Sequence, residues 1–201
     1  MNMIQVRRVV ASAAAFAIAG LGILAVASPA SASPESGDSH CVARATAGTP
    51  EAVCFASFAE ALQFASGGRL TSGPKNGSEG VTSPEFVARV NAANDEASRV
   101  SAASGYDTVI SIDYTGTGYS GSELIWLGTG NCTTSTGNTD YEIDTMPAGW
   151  VNVVTSFYAF ANCWVQHWED PNQGGAHVGY TGSRSNIGST LDNKTSSERW
   201  S

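Results

Sequence analysis

Two stretches of this sequence, Tyr114-Thr-Gly-Thr-Gly-Tyr119-Ser-Gly121 and Trp168-Glu-Asp-Pro-Asn-Gln173-Gly-Gly175, share one pattern. Each begins with an aromatic residue, reaches a second large residue after four intervening positions, and has a glycine two positions further on. The same offset separates the aromatic residues and the glycines, which indicates an internal repeat. Because glycine accepts a positive φ, each copy predicts a folded hairpin with an aromatic ring packed over its turn.

A second pair of similar stretches lies downstream of the hairpins. Val151-Asn152-Val153-Val154-Thr155-Ser156 aligns with Asp192-Asn193-Lys194-Thr195-Ser196-Ser197. Both stretches place hydroxyl groups at the end of a strand, where they can hold the hairpin in place or face a cation. Two four-stranded units cannot each bury a core alone, but as a pair they form a sandwich.

The rest of the chain divides at about residue 105. Residues 106–201 are rich in Gly, Ser, Thr, Tyr and Trp, and the apolar runs at 109–114 and 124–126 predict strands. Residues 33–105 predict a small helical segment, which begins with a loose terminus at 33–40. Ser57-Phe58-Ala59-Glu60 is a capping box, and Ser83-Pro84 starts a second helix with Ser as N-cap. The intervening residues 71–82 are predicted to form a loop.

The hairpin pattern and the hydroxyl-containing stretch, each repeated in the same order, resemble the βγ-crystallin family, whose Greek-key motif has this aromatic and glycine spacing. Calcium-binding members carry two Asn/Asp, two variable residues, and then Ser/Thr-Ser, a pattern that residues 192–197 match throughout. Val151 departs from it at the first position, and Gln173 replaces the expected second aromatic residue. The resemblance covers residues 106–201 and implies a mainly β fold, a double Greek-key sandwich preceded by the helical segment.

The resemblance also implies calcium sites that are shared between the two copies. Side-chain and main-chain oxygens suit calcium, which takes six to eight hard oxygen ligands. The alternative is that both loops are structural and that their hydroxyl groups cap turns. Carried over by position, the side-chain candidates are Asp192, Asn193 and Ser196 from the second copy and Asn152 and Thr155 from the first, with carbonyls near Lys194, Val153, Glu123 and His177 completing the shells.

The N-terminus has the features of an export signal. Arg7 and Arg8 precede an apolar run, and Ala30-Ser31-Ala32 provides a small-residue cleavage site. This order predicts a secretory signal peptide at residues 1–32 and an extracellular product without a membrane anchor. The alternative is an uncleaved anchor, which the small residues of the run and the cleavage pattern disfavour.

The charge of the chain limits its partners. With 18 acidic against 10 basic residues, its formal net charge is −8 at pH 7. Nucleic acids and anionic membranes require clustered basic residues, so neither is expected as a partner, whereas a cation is compatible with this charge.

Four cysteines in an exported chain favour disulfides over free thiols. Three pairings exist, and we favour Cys41–Cys54 with Cys132–Cys163 because each pair lies within one half of the chain. A zinc site would need closer spacing than these cysteines have.

No catalytic arrangement stands out in the sequence, and the chain is not expected to be an enzyme. Gly118-Tyr119-Ser120-Gly121-Ser122 lacks the last glycine of a nucleophile elbow. His167 and His177 flank the second hairpin, where the alternation of residues predicts partial exposure. Glu169 and Asp170 are neighbours that point apart in a strand. The tryptophans after residue 140 are expected in the core and at corners rather than in a sugar-binding platform.

Two functions follow from the resemblance. The first is a calcium-binding, disulfide-stabilised structural module of the cell exterior. The second is a secreted protease inhibitor, because exported proteins of this fold from actinobacteria include metalloprotease inhibitors and a killer-toxin-like group. The inhibitor pattern is not matched residue by residue, so no reactive loop is assigned.

Overall fold

The computed structural model describes residues 37–104, 108–133 and 135–201, so the predicted signal peptide lies outside the described residues. The helices are α1 (Phe58–Ala65), α2 (Gly77–Val81) and α3 (Pro84–Ser104). The strands are β1 (His40–Arg44), β2 (Ala52–Phe55), β3 (Thr108–Gly116), β4 (Ser120–Gly128), β5 (Tyr141–Ile143), β6 (Ser156–Ala159), β7 (Val165–Asp170), β8 (Gly174–His177) and β9 (Ser197–Trp200). A short 3₁₀ turn at Pro171–Gln173 joins β7 to β8. Among the residues described, no helix is both long enough and apolar enough to cross a membrane.

The strands form two sheets that exchange segments. The first sheet has the order β2-β1-β4-β3-β6, and the second has the order β5-β9-β7-β8. Strand β5 comes from the first sequence copy but pairs with β9 of the second copy. In return, Arg184 of the second copy pairs with Phe157 in β6. This mutual exchange is the double Greek-key arrangement, so the predicted fold class is confirmed.

One serine hydroxyl holds the folded hairpin of the first copy. Ser156 Oγ donates to the Gly116 carbonyl at 2.6 Å and accepts from the Tyr119 N–H at 3.1 Å. Both Tyr119 and Gly121 have positive φ, at 64° and 82°. The glycine therefore lies where the predicted hairpin requires it, because few residues with a side chain adopt this conformation readily.

The second copy repeats this arrangement. Ser197 Oγ donates to the Asp170 carbonyl at 2.7 Å and accepts from the Gln173 N–H at 3.0 Å. Gln173 and Gly175 also have positive φ, at 57° and 71°. Gln173 stands where the family has an aromatic residue, and its Nε2 donates to the Ile143 carbonyl at 2.7 Å. A hydrogen bond to β5 thus takes the place of ring packing.

The segment before residue 105 contributes strands as well as helices. Strand β1 runs parallel to β4, and β2 pairs with β1, so this segment extends the first sheet. The sequence did not predict β1, because a short apolar strand gives little signal until its partner is known. Both predicted helices are present, and Ser57 and Ser83 accept hydrogen bonds from the first turns of α1 and α3.

The predicted loop at 71–82 contains the short helix α2. Asn76 Oδ1 accepts from the Glu79 N–H at 2.9 Å, and Glu79 Oε2 accepts from the Lys75 N–H at 3.3 Å. Asn76 is thus the N-cap of α2, and Glu79 reaches back as in a capping box but to the N–H of the residue before the cap. The sequence did not predict this helix because the stretch contains several glycines, and glycine disfavours a helix interior.

A buried carboxylate joins the N-terminal segment to the sandwich. Glu123 of β4 is 1% exposed, and its Oε2 contacts His40 Nδ1 of β1. Its Oε1 accepts from the Gly77 N–H, at the start of α2, at 2.7 Å. Burial raises the pKa of Glu123, while the Gly77 N–H and His40 oppose the rise. One side chain therefore makes contacts with both a strand and a helix of the preceding segment.

The first sheet is covered on both faces. Residues 108–114 of β3 are all buried, although a sheet with one exposed face would show alternation. Tyr114 lies against Gly77 of α2, while Ser111 accepts a hydrogen bond from Trp200 Nε1 of the second sheet at 2.9 Å. The layers are therefore helices, first sheet and second sheet.

Both disulfides have the favoured pairing. Cys41 and Cys54 are directly opposite each other in the β1–β2 pair, and Cys132 is bonded to Cys163 across a separation of 31 residues. The second bond ties the segment between β4 and β5 to Cys163, which lies two positions before the start of β7. Each bond therefore closes a loop within one half of the chain.

Replacing Cys132 and Cys163 by serine is expected to lower the melting temperature more than replacing Cys41 and Cys54. The chain-entropy relation gives about 3.7 kcal/mol for the larger loop and about 2.9 kcal/mol for the smaller one. Thermal unfolding followed by circular dichroism measures both losses. A larger loss in the Cys41→Ser/Cys54→Ser variant would contradict this order.

Candidate functional site

The two predicted calcium loops lie side by side and are joined by crossed main-chain hydrogen bonds. The Asn152 N–H donates to the Thr195 carbonyl at 2.8 Å, and the Asn193 N–H donates to the Val154 carbonyl at 3.0 Å. Asn152 and Asn193 both have left-handed φ, at 61° and 56°. Asparagine accepts this conformation more readily than most residues, so the repeated Asn holds each loop in the same bend.

Three side-chain oxygens from the two copies meet at one position, here called the Asp192 cluster (Asp192, Asn193 and Thr155). Thr155 Oγ1 donates to Asp192 Oδ1 at 2.9 Å and to Asn193 Oδ1 at 3.5 Å. Asn193 Nδ2 donates to Asp192 Oδ1 at 3.2 Å. The cluster therefore combines a carboxylate, an amide and a hydroxyl group.

The Asn152 cluster (Asn152 and Ser196) contains the residues that correspond to Asn193 and Thr155 when the two sequence copies are aligned. Ser196 Oγ donates to Asn152 Oδ1 at 3.1 Å. Val151 occupies the position that corresponds to Asp192 and is 39% exposed. The Asn152 cluster therefore has neutral oxygens where the Asp192 cluster has a carboxylate.

The main-chain carbonyls predicted as calcium ligands differ in their accessibility. Val153 is half-buried and Lys194 is exposed, with its Nζ 3.8 Å from Glu169 Oε1. Glu123 lies within the first sheet, where β4 is flanked by β1 and β3. His177 lies on β8, at the edge of the second sheet. A carbonyl near His177 is therefore more open to a ligand than one near Glu123.

The donor set suits a hard cation. Carboxylate, amide and hydroxyl oxygens are the ligands that calcium takes in proteins, and the remaining positions can be filled by carbonyls and water. The hydroxyl hydrogens of Thr155 and Ser196 now point at the other cluster oxygens. Rotation of each hydroxyl would turn a lone pair toward a cation without moving the backbone.

The aromatic residues occupy several environments. Tyr114 and Tyr119 of the first hairpin meet edge to face with ring centroids 5.7 Å apart, and Trp168 stacks on His177 at 4.1 Å. Trp150 and Trp200 are in the core, as predicted, whereas Trp164 is 50% exposed.

The prediction of partial exposure for His167 is wrong, because its side chain is fully buried between the sheets. His167 Nε2 lies 3.1 Å from Glu198 Oε1 and 3.5 Å from Asp113 Oδ1, and both carboxylates are also fully buried. We call these three residues the buried triad. The alternation along β7 placed His167 on the exposed face of the strand, but it lies on the buried face. A better signal was Asp113, a charged residue in the middle of an apolar strand.

The buried triad has few conventional hydrogen bonds. Trp126 Nε1 donates to Asp113 Oδ2 at 2.7 Å. Among the described residues, Asp113 Oδ1, both ring nitrogens of His167 and both carboxylate oxygens of Glu198 have no hydrogen-bond partner of good geometry. Buried polar atoms without partners are rare in folded proteins, and each one calls for an explanation.

The surroundings of the triad shift two pKa values upward. Burial alone would lower the pKa of His167, but the Glu198 and Asp113 carboxylates outweigh it and raise the pKa to about 9. Burial and the neighbouring Asp113 raise the pKa of Glu198 to about 8, although His167 opposes this rise. Both groups therefore bind a proton more tightly in the folded protein than in the unfolded chain.

No family model and no curated protein matches this chain. Among solved structures, it is similar to a βγ-crystallin domain from Flavobacterium johnsoniae, with 17% identity and a TM-score of 0.34 over 46% of this chain and 93% of that one. A βγ-crystallin domain from Clostridium beijerinckii gives 16% identity and a TM-score of 0.34 over 45% of this chain and 95% of that one. A nickel complex of a clostrillin double mutant gives 16% identity and a TM-score of 0.33 over the same shares.

The fold is that of the βγ-crystallin domains. The exchanged strands and the paired serine contacts carry this assignment, and at such low identity the similarities concern the fold alone. The helices and the β1–β2 pair are additions that lie before the region of resemblance.

The metal-free protein is expected to lose stability as the pH rises from about 5 to 9. The folded pKa values of His167 and Glu198 lie above their ordinary values of 6.5 and 4.5, so the folded state binds more protons. A raised folded pKa stabilises the fold at low pH, and this contribution is lost as the pH passes through the folded value. Urea unfolding in a chelator at several pH values measures the slope.

The matched control for this slope is the triple variant Asp113→Asn/His167→Gln/Glu198→Gln, which removes the titrating groups and replaces each by a polar side chain of similar size. Its stability should fall less steeply over the same range. A wild type whose stability is constant or rises toward pH 9 would contradict the expectation.

Proposed function

We propose that this chain is an exported, non-catalytic structural module that binds calcium through the Asp192 and Asn152 clusters. The observation that carries the proposal is the hydrogen bond from Thr155 to Asp192, which joins the two sequence copies. It gathers ligand oxygens from loops that are distant in sequence. A loop whose hydroxyl only capped its own turn would not need a partner from the other copy.

The composition of the chain supports this proposal. Its net charge is negative, which favours a cation over an anionic partner. The two disulfides are typical of proteins that work in oxidising compartments outside the cytosol. The predicted signal peptide leads to the same location, where calcium is abundant enough for weak sites. The alternative function of a secreted protease inhibitor stays a prediction from the resemblance.

The two clusters should differ in affinity. Calcium affinity depends on the number of charged ligands and on the rigidity of the site. The Asp192 cluster supplies a carboxylate, whereas Val151 removes the corresponding ligand from the Asn152 cluster. Two classes of site, the tighter one at Asp192, are therefore part of the proposal.

Calcium is expected to raise the melting temperature of the folded protein. Extracellular calcium modules bind with dissociation constants of about 10⁻⁴ to 10⁻³ M. At ten times the dissociation constant, calcium adds about 1.4 kcal/mol to the free energy of unfolding. For a chain of this size, this raises the melting temperature by about 3 to 5 °C. Differential scanning calorimetry in chelator and in calcium tests this, with magnesium as the control ion. An identical melting temperature in chelator and calcium would refute the proposal.

Double variants should remove one calcium site at a time when they combine one residue from each sequence copy, as the clusters do, rather than two residues from the same copy. Asp192→Ala with Thr155→Val should abolish the tighter calcium-binding phase, while Asn152→Ala with Ser196→Ala should abolish the weaker one. Isothermal titration calorimetry resolves the two phases. Loss of both phases in either double variant, with the fold intact, would show that the clusters are not separate sites.

A further inference from the structure

The buried triad differs from the calcium loops in both position and chemistry. Asp113, His167 and Glu198 lie on β3, β7 and β9, so both sheets contribute to it. One ligand atom from each residue lies within 4.8 Å of the others. All three side chains are fully buried, and within the described part of the chain neither carboxylate oxygen of Glu198 has a hydrogen-bond partner of good geometry. Glu198 meets His167 at 3.1 Å without hydrogen-bond geometry, and a fully buried carboxylate in this state is the observation that points to a ligand.

We propose that Asp113, His167 and Glu198 bind a divalent transition-metal ion of the zinc type in the core between the two sheets. The proposal is independent of the calcium loops. It assigns the metal a structural role, because the site has no opening to solvent through its ligands.

The distances fit a tetrahedral centre. Bonds of 2.0 to 2.2 Å from zinc to nitrogen and oxygen place neighbouring ligand atoms about 3.3 to 3.5 Å apart. In the triad, His167 Nε2 is 3.1 Å from Glu198 Oε1 and 3.5 Å from Asp113 Oδ1. The atoms are thus spaced as ligands of one ion, yet they are not aligned as donors and acceptors of hydrogen bonds.

Enough donor atoms are present for such an ion. Asp113 Oδ1, His167 Nε2 and one Glu198 oxygen offer three donors, and the second Glu198 oxygen or a water would complete the four ligands that are usual for zinc. Calcium would require six to eight oxygens, so the imidazole and the small donor number favour a transition metal. Trp126 Nε1 holds Asp113 Oδ2 at 2.7 Å and thereby leaves Oδ1 free to face His167. Such contacts to the far side of a ligand orient metal sites generally.

The charges of the triad also balance those of a dication. Binding of the ion displaces the protons of His167 and Glu198, and the two carboxylates and the neutral imidazole then carry two negative charges, which a divalent ion neutralises. Buried charges are strongly unfavourable unless they are paired or bound to metal. An ion at the centre would thus neutralise the buried charge and would bind the Glu198 carboxylate.

The burial of all three residues predicts how the ion enters. Because the folded site is closed, the metal has to bind while the two sheets come together. Once bound, it should exchange slowly with a chelator in solution. The refolding step is therefore the correct point at which to supply the metal.

Cobalt(II) is the probe, because its visible absorption distinguishes four-coordinate from six-coordinate sites. The full chain with its disulfides intact is unfolded in denaturant with chelator, exchanged into buffer, and refolded with Co²⁺ or Zn²⁺. Free metal is then removed. We expect one tightly held ion per chain by elemental analysis, a four-coordinate cobalt spectrum, and a higher melting temperature than in the chain refolded without metal.

Matched variants locate the ion. His167→Gln and Glu198→Gln should lose at least tenfold in metal affinity, whereas His177→Gln, which changes an exposed histidine, should retain the ion. The Asn152→Ala/Ser196→Ala variant should also retain cobalt, so failure of the calcium proposal leaves this test unaffected. A wild-type chain that refolds correctly but holds no Co²⁺ or Zn²⁺ would overturn the proposal. So would metal that stays bound in His167→Gln or leaves in His177→Gln.

Discussion

The arrangement of this molecule depends on a serine hydroxyl that bridges each folded hairpin. Ser156 and Ser197 each join a carbonyl before the turn to an N–H within it, where the chain has positive φ. A hairpin bent in this way would otherwise leave main-chain groups without partners. Because each serine is also the last residue of a calcium-type loop, the contact that folds the hairpin fixes the adjacent loop. Fold and candidate ligand geometry thus have one physical origin.

The exchange of strands explains why the candidate sites contain residues from both copies. Strand β5 crosses to the second sheet, and the segment around Arg184 crosses to the first. The two loops therefore lie side by side, and Thr155 donates to Asp192 rather than to a residue of its own loop. The same exchange brings β3, β7 and β9 together in the interior, where Asp113 faces partners from the other sheet.

The sequence predicted the repeated features well and the unrepeated ones poorly. Spacing identified both hairpins and both loops because each pattern occurs twice, and chance agreement in order is improbable. Strand β1 was missed because it is short and because β4, which places it in the first sheet, lies far away in the sequence. The burial of His167 was missed because a single alternating strand does not show which of its faces is covered. The partners of His167 could be known only after the two sheets were paired.

A calcium titration followed by NMR of backbone amides shows whether each calcium cluster combines residues of both sequence copies. The amides of both loops should shift in two phases, with those around Asp192 saturating first. In the Ser196→Ala variant, the weaker phase at Asn152 should disappear while the tighter phase at Asp192 and Thr155 remains. Shifts confined to one sequence copy, or no shifts in either loop at millimolar calcium, would contradict this arrangement.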